Sequence, residues 1–280
     1  MIDIIIPVYN TPIKDLERCL NSILNQKFKK YLVYIIDDGS TKETKEYLDN
    51  YVSDKNNFKV IHINNGGVSN ARNIGINISN SKYLTFVDSD DTIEKDFLSE
   101  SYKLIEDNTL DLIIGGYNEI NNDKVTKTRI CIPGLHIYNN NTLNLFFEKL
   151  LSGKTNDNNK EIGECPTGRI YTRLFRRKSI GNLRFDNNIK MSEDTLFMID
   201  YMYNNPKIGI IDKIWYNYYK NEYSISNGTN KDKLIENIKK FINEIIIRYQ
   251  QEQNLTIKSA YLSRIEKANN YINILKNKEK

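Results

Sequence analysis

Three carboxylates fall within four residues at Asp88-Ser-Asp-Asp91, directly after the apolar run Tyr83 to Val87. Like charges this close repel one another, and a strand end offers nothing that compensates them. They become favourable when a cation or a cluster of donors sits among them. Hard divalent ions such as Mg²⁺ or Mn²⁺ take carboxylate oxygens and usually share their remaining positions with substrate phosphates. Asp91 reads as the cap of a helix starting at Thr92 or Ile93, which leaves Asp88 and Asp90 for a metal–phosphate site. A second acidic pair, Glu193-Asp194, follows Ser192 where a helical pattern begins; Ser192 fits an N-cap, and both acids suit the positive end of the helix dipole. Arg72 lies early in the helix after Asn65-Gly-Gly67. An arginine beside a helix N-terminus suits an anion, and equally suits a solvated surface.

The elements that must position these residues follow from periodicity. Apolar runs at Ile2–Val8, Tyr31–Ile36, Phe58–Ile63 and Tyr83–Val87 each end in small or polar residues, and helical spacing follows each. Four such units predict a parallel sheet with right-handed crossovers and the special residues along one edge, where open α/β sheets bind ligands. Asp38-Gly-Ser40, at the second strand end, fits a turn with an N-cap as well as it fits a site. Further on, Leu110–Tyr117 reads as a strand, 118–132 as an exposed hairpin, 139–151 as a helix and 152–164 as a mobile loop. Gly168–Lys178 carries five basic residues among apolar ones and reads as an amphipathic helix, its basic face either solvated or turned to a phosphate-bearing ligand. Ile208–Tyr219 reads as one or two strands with an aromatic cluster, and two amphipathic helices close the chain at 234–249 and 257–275. The expected divisions are residues 1–117, 118–225 and 226–280.

Composition narrows the function classes. A net charge of +4 over 280 residues suits anionic substrates but is too weak to argue for nucleic acid. No apolar run approaches bilayer-spanning length, and the N-terminus lacks a basic leader and cleavage site. Cys19, Cys131 and Cys165 are odd in number and scattered, which predicts reduced thiols in a cytoplasmic protein, not a disulfide framework or a zinc site. No Gly-x-Gly-x-x-Gly follows the first strand and no Gly-Lys-Ser/Thr occurs, so a dinucleotide dehydrogenase or P-loop enzyme is not expected.

Five motifs in order resemble family-2 glycosyltransferases: Ile4-Ile-Ile-Pro-Val-Tyr-Asn10, Ile36-Asp-Asp-Gly-Ser40, Gly67-Val-Ser-Asn-Ala-Arg-Asn73, Phe86-Val-Asp-Ser-Asp-Asp91 and Ser192-Glu-Asp194. The resemblance spans roughly residues 2–220 and is closest to short bacterial enzymes that build capsule, lipopolysaccharide or wall polysaccharide. It implies a GT-A fold (α/β, a Rossmann-like, mainly parallel mixed sheet flanked by helices, with a C-terminal helical extension) and metal-dependent, inverting transfer from a UDP-sugar to a glycan or lipid-linked oligosaccharide, a glycoprotein being a further acceptor class. It implies that Pro7, Tyr9, Asn10 and Gly67 line the nucleotide pocket and that Asp38 bonds the uracil or its ribose. Arg72 would reach the base or the pyrophosphate, Asp88 and Ser89 would lie on the donor side, and Asp90 would ligate Mn²⁺ or Mg²⁺. Asp194 would be the general base, with Glu193 beside it. Many relatives carry His or Arg in the loop after the Tyr-rich strand; here 216–226 has neither, and Lys220 is the expected substitute at the diphosphate. The alternative is an inactive nucleotide-sugar-binding partner of another transferase. The Lys-rich C-terminal helices suit peripheral membrane contact or a homodimer interface.

Overall fold

A computed structural model describes residues 1–152, 165–220 and 230–277. The expected mobile loop lies, but for Ser152, outside the described residues, as does the loop beyond Lys220. The first half runs β1 (Ile2–Val8), α1 (Ile13–Leu24), β2 (Tyr31–Asp37), α2 (Lys42–Val52), β3 (Phe58–His62), α3 (Val68–Ile78), β4 (Tyr83–Phe86), β5 (Thr92–Ile93) and α4 (Phe97–Asp107). It continues with β6 (Leu112–Asn121), β7 (Lys124–Arg129), β8 (His136–Tyr138) and α5 (Leu143–Ser152). Beyond the gap come β9 (Arg173–Arg176), α6 (Arg177–Ile180), α7 (Glu193–Met202), β10 (Ile208–Tyr219), α8 (Lys231–Gln251) and α9 (Leu255–Asn277).

The expected mixed, mainly parallel sheet is present, in the order β3-β2-β1-β4-β9-β6-β10-β5, with β7 on β6 and β8 on β10. β1 pairs in parallel with β2 and β4, and β2 with β3, so the polar ends of these strands share one edge. Their apolar runs are explained by burial on both faces: every residue of β1 is buried. The helices cover the two faces through single stripes. In α1, Leu16, Cys19, Leu20 and Ile23 are buried, each apolar chain contributing roughly 1.5–3 kcal/mol.

Three expectations are corrected. Residues 168–178 do not form an amphipathic helix. Their core is β9, inserted antiparallel between β4 and β6, followed by the four-residue α6. A buried central strand tolerates Arg173 because its guanidinium donates to the carbonyls of Pro166, Thr167, Arg169 and Tyr171. Asp91 does not cap a helix at Thr92. Thr92 and Ile93 instead pair with Asn217 and Tyr216, and the helix starts at Phe97. Ser192 makes no side-chain cap bond; it adopts φ 64° and turns the chain into α7. Residue 117, where the two expected halves of the domain meet, lies within β6, in the sheet that both halves share.

The C-terminal helices dock on the domain. Phe241, Ile245, Ile257, Ala260 and Tyr261 join the core that contains Phe147, Phe197 and Phe175. Among the described residues, no helix is long and apolar enough to cross a membrane.

Candidate active site

The polar strand ends open into a cavity of about 680 Å³. It is lined by Pro7, Tyr9 and Asn10 from the end of β1, Asp38 after β2, and Gly67 and Arg72 of α3. Asp88, Ser89 and Asp90 after β4, with Glu193 and Asp194 of α7, complete the expected set. Lys220 is the exception. It is 45% exposed, pairs with Glu119 at 2.7 Å and does not line the cavity.

Local bonds fix these loops. The Asn10 amide donates to Ser40 Oγ at 2.9 Å, and Asn10 Oδ1 accepts from the Thr41 amide at 2.8 Å, so the β1 and β2 ends are tied together. Asp38 accepts from the amides of Gly66 and Gly67 at 2.7 and 2.8 Å, joining the β2 end to the start of α3. Gly67 has φ +90°, a conformation that a side chain would strain. Asp37 behind it binds His62 at 2.7 Å; Asp49 takes the other ring nitrogen at 3.1 Å, consistent with a structural histidine.

The acidic turn is divided by direction. Asp91 points inward and is fully buried, accepting from the Tyr219 amide at 2.8 Å and the Tyr216 hydroxyl at 2.7 Å. Burial and the charges of Asp90 and Asp88 push its carboxyl well above the ordinary range. The Tyr216 hydroxyl also accepts from the Asp88 amide at 3.1 Å, and Arg18 donates to the Asp90 carbonyl at 2.6 Å. Asp88 and Asp90 are thereby left partly exposed on the cavity wall. No group of three His, Cys, Asp or Glu side chains able to hold an ion occurs among the described residues. An ion held at Asp90 would share its remaining positions with substrate oxygens, the ordinary habit of Mg²⁺ beside phosphates.

Arg72 is where the two acidic clusters meet. It is 3% exposed, donating through one terminal nitrogen to Asp194 at 2.8 Å and Glu193 at 3.0 Å, and through the other to Asp88 at 2.9 Å. Its charge is thus spent on protein carboxylates, where the sequence pointed to a ligand anion. Asp194 also accepts from the Ile170 amide at 3.1 Å. Burial, reinforced by Glu193 and Asp88 and opposed by Arg72, pushes the Asp194 carboxyl up to about 7.

The cavity also contains residues that the motifs did not single out: Arg169, Tyr171, Lys190 and Tyr218. Tyr171 stacks on Tyr216 at 4.5 Å and lies nearly parallel to Tyr218 at 6.1 Å, forming an aromatic wall. Arg169 and Tyr171 flank the buried Ile170 in the irregular segment just before β9, where no periodic signal marks them.

The family model described as Glycosyl transferase family 2 matches residues 3–184. Glycosyltransferase GlyG of Streptococcus pneumoniae is 34% identical over 118 residues, covering 42% of this chain and 39% of its own; the chain thus matches well under half of that relative's length. Poly(ribitol-phosphate) beta-N-acetylglucosaminyltransferase TarP of Staphylococcus aureus is 28% identical over 280 aligned residues, covering 94% of this chain and 79% of its own. Among solved structures, S. aureus TarS 1-349 in complex with UDP-GlcNAc superposes with a TM-score of 0.69 at 22% identity, over 94% of this chain and 72% of that one. The shared architecture is the GT-A fold.

Proposed function

This chain belongs to glycosyl transferase family 2, and from that premise we propose that it moves a sugar from a UDP-sugar to a hydroxyl group of a glycan acceptor in one inverting displacement. The observation that carries this reading is the joining of Asp88 and Asp194 by Arg72 inside one cavity. A donor-side carboxylate and a candidate base are then held on either side of a single point. TarS, whose complex contains UDP-GlcNAc, lends support to a uridine donor.

In this reading Pro7, Tyr9, Asn10 and Gly67 form the nucleotide pocket, with Asp38 bonding uracil or ribose through lone pairs not used by Gly66 and Gly67. Asp88 and Ser89 hold the donor, and Asp90 would hold Mn²⁺ or Mg²⁺. The ion, when bound, offsets charge on the departing diphosphate as a Lewis acid. Asp194 takes the proton of the attacking hydroxyl as its oxygen bonds the anomeric carbon, and the electron pair of the breaking bond leaves with UDP. Glu193, on the same arginine nitrogen, keeps that arginine oriented. Lys220, paired with Glu119, is given no role in this reading.

Purified protein offered UDP-glucose, UDP-galactose, UDP-GlcNAc and UDP-GalNAc with Mn²⁺ or Mg²⁺, and non-uridine sugars as controls, is expected to release UDP from one uridine donor only with metal. Asp90→Ala should lose metal-dependent turnover, whereas Asp194→Asn should keep UDP affinity and lose about 10²–10⁴-fold in rate. Absence of UDP binding in the presence of metal would overturn the reading.

A further inference from the structure

Arg72 is held by three carboxylates and has no charge to spare for the nucleotide. A different cation stands at the start of α3. Lys190 is exposed on the cavity wall, and its Nζ is 3.0 Å from where a Gly67 side chain would begin. A Cβ lies about 2.5 Å from its own amide nitrogen, so Nζ is within about 6 Å of the Gly67 amide. That amide donates to Asp38 at 2.8 Å. A carboxylate and an ammonium therefore face one small part of the cavity.

The sheet order says which part of a nucleotide reaches them. β1 lies between β2 and β4, so the strand ends that precede Asp38 and Asp88 are two strand spacings apart, about 10 Å. The reacting end of the donor must lie by Asp194, which Arg72 joins to Asp88 on the β4 side. The end that crosses β1 to Asp38, Gly67 and Lys190 is then the base.

The loop that carries Lys190 is fastened to α3. Asn73 Nδ2 donates to the Phe185 carbonyl at 2.9 Å, and Asn73 Oδ1 accepts from the Phe185 amide at 2.8 Å. One turn along, Asn77 Oδ1 accepts from Arg184 Nε at 2.8 Å. Asp186 turns the chain by accepting from the Asn188 amide at 2.8 Å, and Ile189 is buried in the core. Asn73, a motif residue that the transfer chemistry leaves without a task, thus holds the loop that brings Lys190 over Gly67. With the backbone fixed, only the lysine stem remains to be ordered on binding.

The two side chains are opposite in kind. Asp38, steadied by the amides of Gly66 and Gly67, offers acceptors, and Lys190 offers donors. Uracil presents N3–H beside the O4 carbonyl, which matches a carboxylate next to an ammonium. Cytosine presents a lone pair at N3 and an amino group at C4, which reverses both contacts. We infer that Lys190 is a specificity-determining residue, selecting uracil over cytosine by donating to O4 while Asp38 accepts from N3–H. This rests on the transferase reading above, which puts the nucleotide in this cavity.

UDP and CDP share ribose and diphosphate and differ only at that edge of the base. Calorimetry on the full chain with Mn²⁺ is expected to find UDP bound about tenfold tighter than CDP, or more. Lys190→Met keeps a long stem and removes the charge. It should weaken UDP about tenfold and leave CDP within about twofold, so that the preference collapses while thermal melting is unaltered. An unchanged preference in Lys190→Met overturns the inference; if both ligands weaken together, the lysine belongs to the diphosphate they share. Equal binding of UDP and CDP by the unaltered chain overturns it too. Each of these results leaves the transferase reading standing, because UDP still binds. If UDP fails to bind the unaltered chain, that reading falls and takes this inference with it.

Discussion

At the scale of residues, one guanidinium sets the electrostatics of the site. Arg72 holds Asp194 lower than burial alone would, and the carboxyl still reaches about 7. As a base it must be ionised, so kcat/KM is expected to rise with pH through about 7 and level off above it, measured with any donor that is turned over. The sign for stability is opposite. A carboxyl raised in the folded state favours folding when protonated, so its contribution declines from the ordinary carboxylate range up to about pH 7. Arg72→Met removes the only charge that lowers it through direct contact, and the acid limb should move upward. The same variant leaves Asp88, Glu193 and Asp194 facing one another, and should cost about 3–5 kcal/mol at neutral pH. That loss should shrink at pH 4, as denaturant melts of both proteins would show.

At the scale of elements, α3 can deliver Arg72 because Gly75, one turn along, has no side chain. A Cβ there would lie 2.4 Å from Ile5 Cγ2 in β1. Gly75→Val should therefore lift the helix, destabilise by about 1–3 kcal/mol and lower turnover more than UDP affinity, as thermal melts and kinetics would test. This level also marks what could be read beforehand. β1, β2 and β4 were legible because buried strands are apolar throughout and their ends turn suddenly polar, and Asp38 and Asp88 stand just past two of those ends. β9 was not, since Arg173 and Arg176 among Leu174 and Phe175 imitate an amphipathic helix when the carbonyls that receive Arg173 lie in a loop. β5, two residues long, has no periodicity to detect. The inward turn of Asp91 depended on Tyr216 and Tyr219, over 120 positions away, which no local pattern contains. Lys220 was expected at the diphosphate from its place in the loop, but Glu119 on the neighbouring strand is its nearer partner.

At the scale of the whole molecule, the C-terminal helices are part of the core and not an appendage. Tyr261 of α9 is fully buried against Phe147, at ring centroids 6.2 Å apart, and its hydroxyl meets that of Tyr203 at 3.0 Å. Arg248 of α8 forks onto both oxygens of Asp200 in α7 at 2.6 and 2.7 Å. A chain ended at residue 229 should therefore lose cooperative melting and expose apolar surface to a dye, not leave an active smaller domain.

The shared arginine has one further result. Since the same guanidinium grips Asp88 and Asp194, a donor that bonds Asp88 and loosens its hold on Arg72 changes the grip on the base, where the acceptor's hydroxyl must land. Linkage makes such an effect reciprocal. By whatever factor the UDP-sugar alters acceptor affinity, the acceptor alters UDP-sugar affinity by the same factor. Replacing Arg72 should bring both factors toward one, and the two substrates would then bind as strangers.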